Sequence, residues 1–300
     1  MQRGYPPRPD PQSAPQSYAA WLRAVSSPMV RVSPRTVRRT DRVYGPAKNA
    51  SDGSIRMADA TTSNWCGYVI DGYENSFGPS PFNWVMGEWH VPVVVPEPGI
   101  ITDTYSTEWI GLDGLDGSGD VVQDGTTQDV LHTPAWDLYT YNAWTEWFPQ
   151  FPNVIPTLFV SPGDDIFSEV WVGDPGGPRD ANGHFGYFYI VNLTTKHTYT
   201  NYPGVDTPIP PNTHFFGNTA DWIMERPTIY PPVGSPYLPD LAQFYGAAMY
   251  SAAATRQNGD YPLYSQENSV KLKMMNGADS LCDAGPITAS AFWMIWQGFH

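Results

Sequence analysis

The sequence predicts an all-β protein, an antiparallel two-sheet β-sandwich, on three observations. About twelve short strand-like stretches follow one another along residues 61–300, separated by turn signals. Aromatic residues make up 14% of the chain against 15% charged, with 27 Gly and 31 Pro, a balance that favours strands and turns over exposed helices. Helical period is almost absent, and no repeat of roughly 20–50 residues points to a propeller. A hydrophobic content of 41% supplies a sizeable core. No run of about 18 apolar residues exists, so no span of a membrane is expected.

In chain order the strands are expected over 66–70, 84–95, 105–112, 121–123, 138–148, 166–172, 185–193, 197–202, 220–225, 241–250, 270–274 and 289–297. Alternation is clearest over 138–148. There Tyr139, Tyr141, Ala143, Thr145 and Trp147 fall on one face, and Leu138, Thr140, Asn142, Trp144 and Glu146 on the other. Over 220–225 the same period groups Asp221, Ile223 and Glu225. Turns are expected at Pro162-Gly163-Asp164-Asp165, Gly173-Asp174-Pro175-Gly176-Gly177 and Asn258-Gly259-Asp260.

Charge divides the chain in two. Residues 1–60 carry ten of the sixteen Lys and Arg, only four acids and eight prolines, with a basic run at Arg35-Thr36-Val37-Arg38-Arg39. Residues 61–300 are left with a formal charge of −20. Such a body repels nucleic acid and anionic membranes, so neither is an expected partner. It also tolerates acid, because few cations remain to repel one another once the carboxylates protonate. Residues 1–60 read as a basic leader with helical character near 18–25, a propeptide-like composition whose cations are expected to pair with active-site carboxylates. The opening Met1-Gln2-Arg3-Gly4-Tyr5-Pro6-Pro7 lacks the apolar stretch of a secretory signal. A secreted, acid-stable monomer is nonetheless the expectation. Cys66 and Cys282 either form one disulfide closing the ends of the body or stand as two buried thiols.

Common catalytic signatures are missing. There is no HExxH, no G-x-S-x-G, no Walker or GxGxxG loop, and no Asp-Thr-Gly or Asp-Ser-Gly. No cofactor and no metal is expected. His90, between Trp89 and Val91, reads as a structural polar residue. Asp113, Asp116, Ser118 and Asp120 depart from the EF-hand spacing and lack its closing Glu, so they read as a turn.

A series of short motifs remains, in one order. Asn64-Trp65-Cys66-Gly67 is followed by Trp109-Ile110-Gly111-Leu112-Asp113-Gly114, then by Gln123 within Val121-Val122-Gln123-Asp124-Gly125. Next come Ala143-Trp144-Thr145-Glu146-Trp147-Phe148-Pro149, Val160-Ser161-Pro162-Gly163-Asp164 and Asn192-Leu193-Thr194-Thr195. The last is Ala220-Asp221-Trp222-Ile223-Met224-Glu225-Arg226-Pro227. From about Ser63 to Tyr250 this series resembles the glutamic peptidases, or eqolisins. The resemblance implies a lectin-like β-sandwich and acid endopeptidase activity on polypeptide substrates, dependent on a Gln and a Glu. By motif these are Gln123 and Glu225. Trp65, Trp109 and Trp147 are then expected to wall a substrate cleft, and Glu146 and Asp113 to tune Glu225 through shared hydrogen bonds. Asp221 stands where Glu is usual in the family, which makes it a second candidate for moving a proton. The basic leader resembles the family's propeptides.

The chemistry suits those residue types. A Glu with an ordinary pKa of about 4.3 is partly ionised in mild acid, where His is fully protonated. Glu225 can therefore take a proton from water and return it to the leaving amine. The Gln123 amide carries no titratable proton and can donate to a tetrahedral oxyanion at any pH. The competing class is a carbohydrate-active β-sandwich: a glycosidase using Glu146 and Glu225 about 5–5.5 Å apart, or a sugar-binding module.

Overall fold

The computed structural model describes residues 5–46, 60–71, 81–115, 118–173, 184–202, 207–256, 259–262 and 269–298. Asp116 and the tip of the Gly173–Gly177 turn lie outside them, as do Asn258 and residues 47–59 of the leader. The described residues are mostly β, with one α-helix among them, Pro15–Ser26.

Strand pairing forms two runs. In the first, Asn153–Val154, Asp137–Phe148, Val121–His132, Thr104–Leu112, Thr219–Glu225, Trp65–Asp71, Val270–Asn276 and Asp279–Ala284 lie side by side, all antiparallel. In the second, Ala248–Arg256, Phe82–His90, Asp165–Gly173, Phe185–Asn192 and His197–Thr200 do the same. Phe292–Trp296 joins them at one edge, pairing with both Asp279–Ala284 and Ala248–Arg256.

The period-two alternation of the first run sorts its residues by chemistry. Tyr68, Ile110, Val122, Trp147 and Trp222 turn to one side and meet Val85, Val170 and Phe188 of the second run in one buried cluster. The other side carries Trp65, Trp109, Trp144 and Ile223, buried in a separate cluster with Tyr44. Glu225, Gln123 and Glu146 share the parity of that second side. Cys66 and Cys282 are disulfide-bonded, 216 residues apart, which resolves the open alternative in favour of the bridge.

The strand over 121–123 is far longer than its sequence suggests, running Val121–His132. Its polar stretch Asp124–Asp129 is buried on both faces and finds hydrogen-bond partners in other elements. Ser168 donates to Asp124 at 2.6 Å, Trp89 Nε1 to Thr126 at 3.0 Å, and Arg42 to Asp129 at 2.8 Å. The stretch over 241–250 divides instead into Asp240–Leu241, Gln243–Tyr245 and the start of Ala248–Arg256.

The leader is wound onto the body. Ala20 and Ala24 of its helix pack against Trp84, Phe167, Trp171 and Tyr187 on the outer side of the second run. Arg23 forms a bidentate pair with Glu88 at 2.9 and 2.8 Å. Val30–Arg31 then adds a parallel strand to His197–Thr200, Val37–Arg38 pairs with Asn153–Val154, and Arg42–Val43 pairs with Thr228–Ile229. Backbone ladders of this kind give the leader a defined path rather than a loose electrostatic association.

Candidate active site

The site sits on the face of the first run that turns away from the shared core. Two rungs of the sheet set its floor. Gly111, Gln123 and Glu146 are direct neighbours across three strands, and Trp109, Gly125 and Trp144 are neighbours one rung along. Gly125 is needed there: a Cβ at that position would lie 2.6 Å from the Trp109 Cβ, so only glycine lets the two indoles flank it. Glu225 ends the strand Thr219–Glu225, opposite Trp65 and Thr107.

The side chains converge on a short strap of the leader. Gln123 Nε2 donates to the Tyr44 carbonyl at 2.6 Å and to Glu146 Oε2 at 2.9 Å. The Tyr44 N–H donates to Glu146 Oε2 at 3.1 Å. One residue on, the Gly45 N–H donates to Glu225 Oε1 at 2.9 Å, and Asn64 Nδ2 donates to the Gly45 carbonyl at 2.8 Å. Asn64 Nδ2 also reaches Glu225 Oε1 at 3.2 Å, while Trp109 Nε1 donates to Glu225 Oε2 at 2.8 Å. Both carboxyls are thus held by donors on defined oxygens.

Covered this way, Gln123 and Glu225 are 0% exposed and Glu146 is 1%. Loss of solvent raises the Glu225 carboxyl well above its ordinary range, against the hydrogen bonds from Gly45, Trp109 and Asn64 that favour its charged form. Glu146 is raised well above its range too, first by burial and next by the charge of Glu225. Two carboxyls so coupled do not both ionise cheaply.

Of the expected site residues, the structure brings together Gln123, Glu225, Glu146, Trp65 and Trp109. The Trp65 and Trp109 rings meet edge to face with centroids 5.0 Å apart. Two residues take other places. Trp147 points into the shared core, donates to Asp120 at 3.0 Å and packs on Phe215, because odd positions of Asp137–Phe148 face inward. Trp144 fills the position instead, its ring stacked on Tyr44 at 4.0 Å; it shares parity with Glu146, so the alternation already distinguished the two. Asp113 does not tune Glu225. Its carboxylate accepts from the N–H groups of Phe216, Gly217 and Asn218, anchoring the loop that leads into Thr219–Glu225. Its backbone sits at φ 71°, a left-handed conformation that Asp tolerates. Asp221 lies four residues from Glu225, about 13 Å along the strand, too far to act on the same atoms.

Among the described residues, two of the leader's cations also behave differently from expectation. Arg42 is buried against Asp129 and over the Tyr105 ring, and Arg23 pairs with Glu88; neither meets Glu225 or Glu146. Backbone amides of Tyr44 and Gly45 cover the central carboxyls. His90 pairs with Asp165 and contacts the Tyr250 ring. Beside the strap opens a cavity of about 530 Å³, lined in part by Val43, Pro46, Phe148, Arg226 and Tyr237.

A model of the Peptidase A4 family matches residues 63–293. The chain belongs to that family. Membership of this peptidase family takes away the footing of the carbohydrate-active alternative. Scytalidopepsin B of Scytalidium lignicola is 28% identical over 136 residues, which are 44% of this chain and 44% of that protein. The chain therefore matches less than half the length of that relative. Two solved structures share the fold. One is a scytalido-glutamic peptidase with a transition state analog inhibitor: TM-score 0.61, 19% identity, covering 78% of this chain and 98% of that one. The other is SCP-B, a member of the eqolisin family, in a complex with the tripeptide Ala-Ile-His: TM-score 0.56, 18% identity, again 78% and 98%.

Proposed function

We propose that this Peptidase A4 member is a secreted acid endopeptidase that hydrolyses peptide bonds by direct attack of water. Glu225 acts as general base and then general acid, and Gln123 stabilises the oxyanion. One observation carries this reading: Gln123 and Glu225 grip the two ends of a single amide group, the Tyr44 carbonyl and the Gly45 N–H. Peptide hydrolysis needs that spacing, with a neutral donor where oxygen becomes charged and a proton carrier beside the nitrogen that leaves.

Glu146 holds the Gln123 amide in its donating orientation, and Trp109 fixes the Glu225 carboxyl through Oε2. Trp65, Trp109 and Trp144 wall the cleft. Residues 61–300 form the catalytic domain, a monomeric lectin-like sandwich whose two strand runs are its two sheets. Residues 1–60 form a pro-segment that keeps the enzyme a zymogen by covering the cleft.

The test uses denatured casein and a β-glucan side by side at about pH 3–4, where a Glu base is partly ionised. Peptide release without sugar release is expected. Sugar release without peptide release would contradict the reading.

A further inference from the structure

We propose that the Tyr44–Gly45 peptide bond is the bond this enzyme cuts in itself, so that the strap is a first substrate, residues 1–44 of the pro-segment are released and residues 45–60 stay on the body with Gly45 as the new N-terminus. The inference rests on the proposed roles of Gln123 and Glu225 and adds to them a specific maturation site.

The bond is fixed on both sides in an orientation fit for hydrolysis. On its acyl side, the carbonyl oxygen of Tyr44 receives the Gln123 amide at 2.6 Å, and the Tyr44 N–H is held by Glu146 at 3.1 Å. On its amine side, the Gly45 nitrogen lies 2.9 Å from Glu225 Oε1, and the Gly45 carbonyl is held by Asn64 at 2.8 Å. Hydrogen bonds on both flanks pin the bond across the reacting groups, where a near-attack geometry is most valuable.

The flanking side chains agree with this placement. The Tyr44 ring is fully buried, stacked on Trp144 at 4.0 Å. Gly45 passes close against Phe148: a Cβ there would lie 2.9–3.2 Å from that ring. No other residue type fits without moving Phe148. Two residues upstream of Tyr44, Arg42 is seated on Asp129 at 2.8 Å, which fixes the register of the strap along the cleft. A strap that only blocked the cleft would not need its carbonyl on Gln123 and the following N–H on Glu225.

The step balances with one water. Once the strap opens locally and solvent returns, Glu225 ionises, takes a proton from water, and the water oxygen bonds to the Tyr44 carbonyl carbon. The electron pair displaced onto the carbonyl oxygen is held by the Gln123 amide. Glu225 then returns its proton to the Gly45 nitrogen as the carbon–nitrogen bond breaks. The products are a chain ending in the Tyr44 carboxyl group and a chain beginning with the Gly45 amine. Because both groups are 0% exposed under the strap, cleavage waits on a local opening that admits the water.

The full chain, purified at neutral pH, is shifted to about pH 4. It is then followed by intact mass under denaturing conditions, by N-terminal sequencing, and by digestion of added casein. The expected result is one cut giving residues 1–44 and a body that begins Gly45-Pro46, with a half-time independent of protein concentration. Glu225→Gln stays intact, and Gly45→Val, which overlaps Phe148, is cut about tenfold or more slowly. Casein digestion with the Tyr44–Gly45 bond still joined would overturn the self-cleavage proposal and leave the peptidase reading standing. Neither casein digestion nor self-cleavage would overturn both. A cut at this bond in Glu225→Gln at the wild-type rate would assign it to a foreign protease and overturn the proposal as well.

Discussion

Gln123 and Glu146 face each other across one rung of the sheet, and the Gln123 amide donates to the Glu146 carboxyl at 2.9 Å. That bond spends one N–H of the amide on Glu146 and leaves the other aimed at the strap carbonyl, so Glu146 decides which way the amide points. Glu146→Gln keeps an acceptor and should keep much of the activity. Glu146→Leu removes it and should lower kcat by about tenfold to a hundredfold, in line with one buried hydrogen bond, with little change in KM. Steady-state kinetics on a quenched peptide read the difference. Equal effects of the two variants would refute a positioning role.

Trp109 acts on the other member of the pair. Its indole N–H donates to Glu225 Oε2 at 2.8 Å, and a donor to a carboxylate favours the charged form. Trp109→Phe keeps the ring and loses the donor. The apparent pKa governing the acid limb of kcat should therefore move upward, with a loss of about tenfold or more at low pH. A limb that stays in place would show that the indole only packs.

Several buried carboxyls lie outside the site. Glu108 is raised well above its range by burial, and Asp124 likewise by burial against its bond from Ser168. Asp120 is pushed up to about 8, chiefly by burial and next by Asp113. For an acid whose folded pKa is raised, the stabilising contribution is complete below its unfolded value. It is lost as pH rises through the folded value. Thermal stability should thus be highest near pH 4 and fall toward pH 8, the opposite of ordinary acid denaturation. Differential scanning calorimetry across that window tests it, and Glu108→Gln should flatten the decline. A Tm that climbs with pH would count against the account.

The Cys66–Cys282 bridge closes a loop with 216 residues of separation between Trp65–Asp71 and Asp279–Ala284, which both pair with Val270–Asn276. Chain-entropy reasoning and native-disulfide removals together suggest that the double Cys→Ala variant loses about 2–5 kcal/mol. Urea unfolding measures this. An unchanged midpoint would mean that the bridge does not constrain the unfolded chain.

Much of the candidate site was legible because β-structure has a period of two. Glu225, Glu146 and Trp144 each share a parity with the site face, and the hairpin of Val121–His132 and Asp137–Phe148 puts Gln123 beside Glu146. Trp147 misled because an aromatic flanking a functional Glu resembles a cleft wall, although parity sends it into the core. The polar run Asp124–Asp129 hid most of its strand, since the sequence does not display the partners that satisfy it across layers, Ser168, Trp89 and Arg42. Tyr44 and Gly45 were invisible for a similar reason. They carry no catalytic residue type, and their position comes from a leader wound about 180 residues of sequence away from Glu225.

The central claim is that Glu225 moves the proton and Gln123 holds the charge. It is tested most directly by the turnover of a quenched peptide at about pH 4 by the parent chain, Glu225→Gln and Gln123→Ala. All three carry Arg42→Met, which strands buried Asp129 without its guanidinium partner and so loosens the strap equally in each. The account predicts that both variants stay folded while kcat falls by about 10²–10³-fold for Gln123→Ala and at least as far for Glu225→Gln. Either variant turning over within about tenfold of the parent would contradict it.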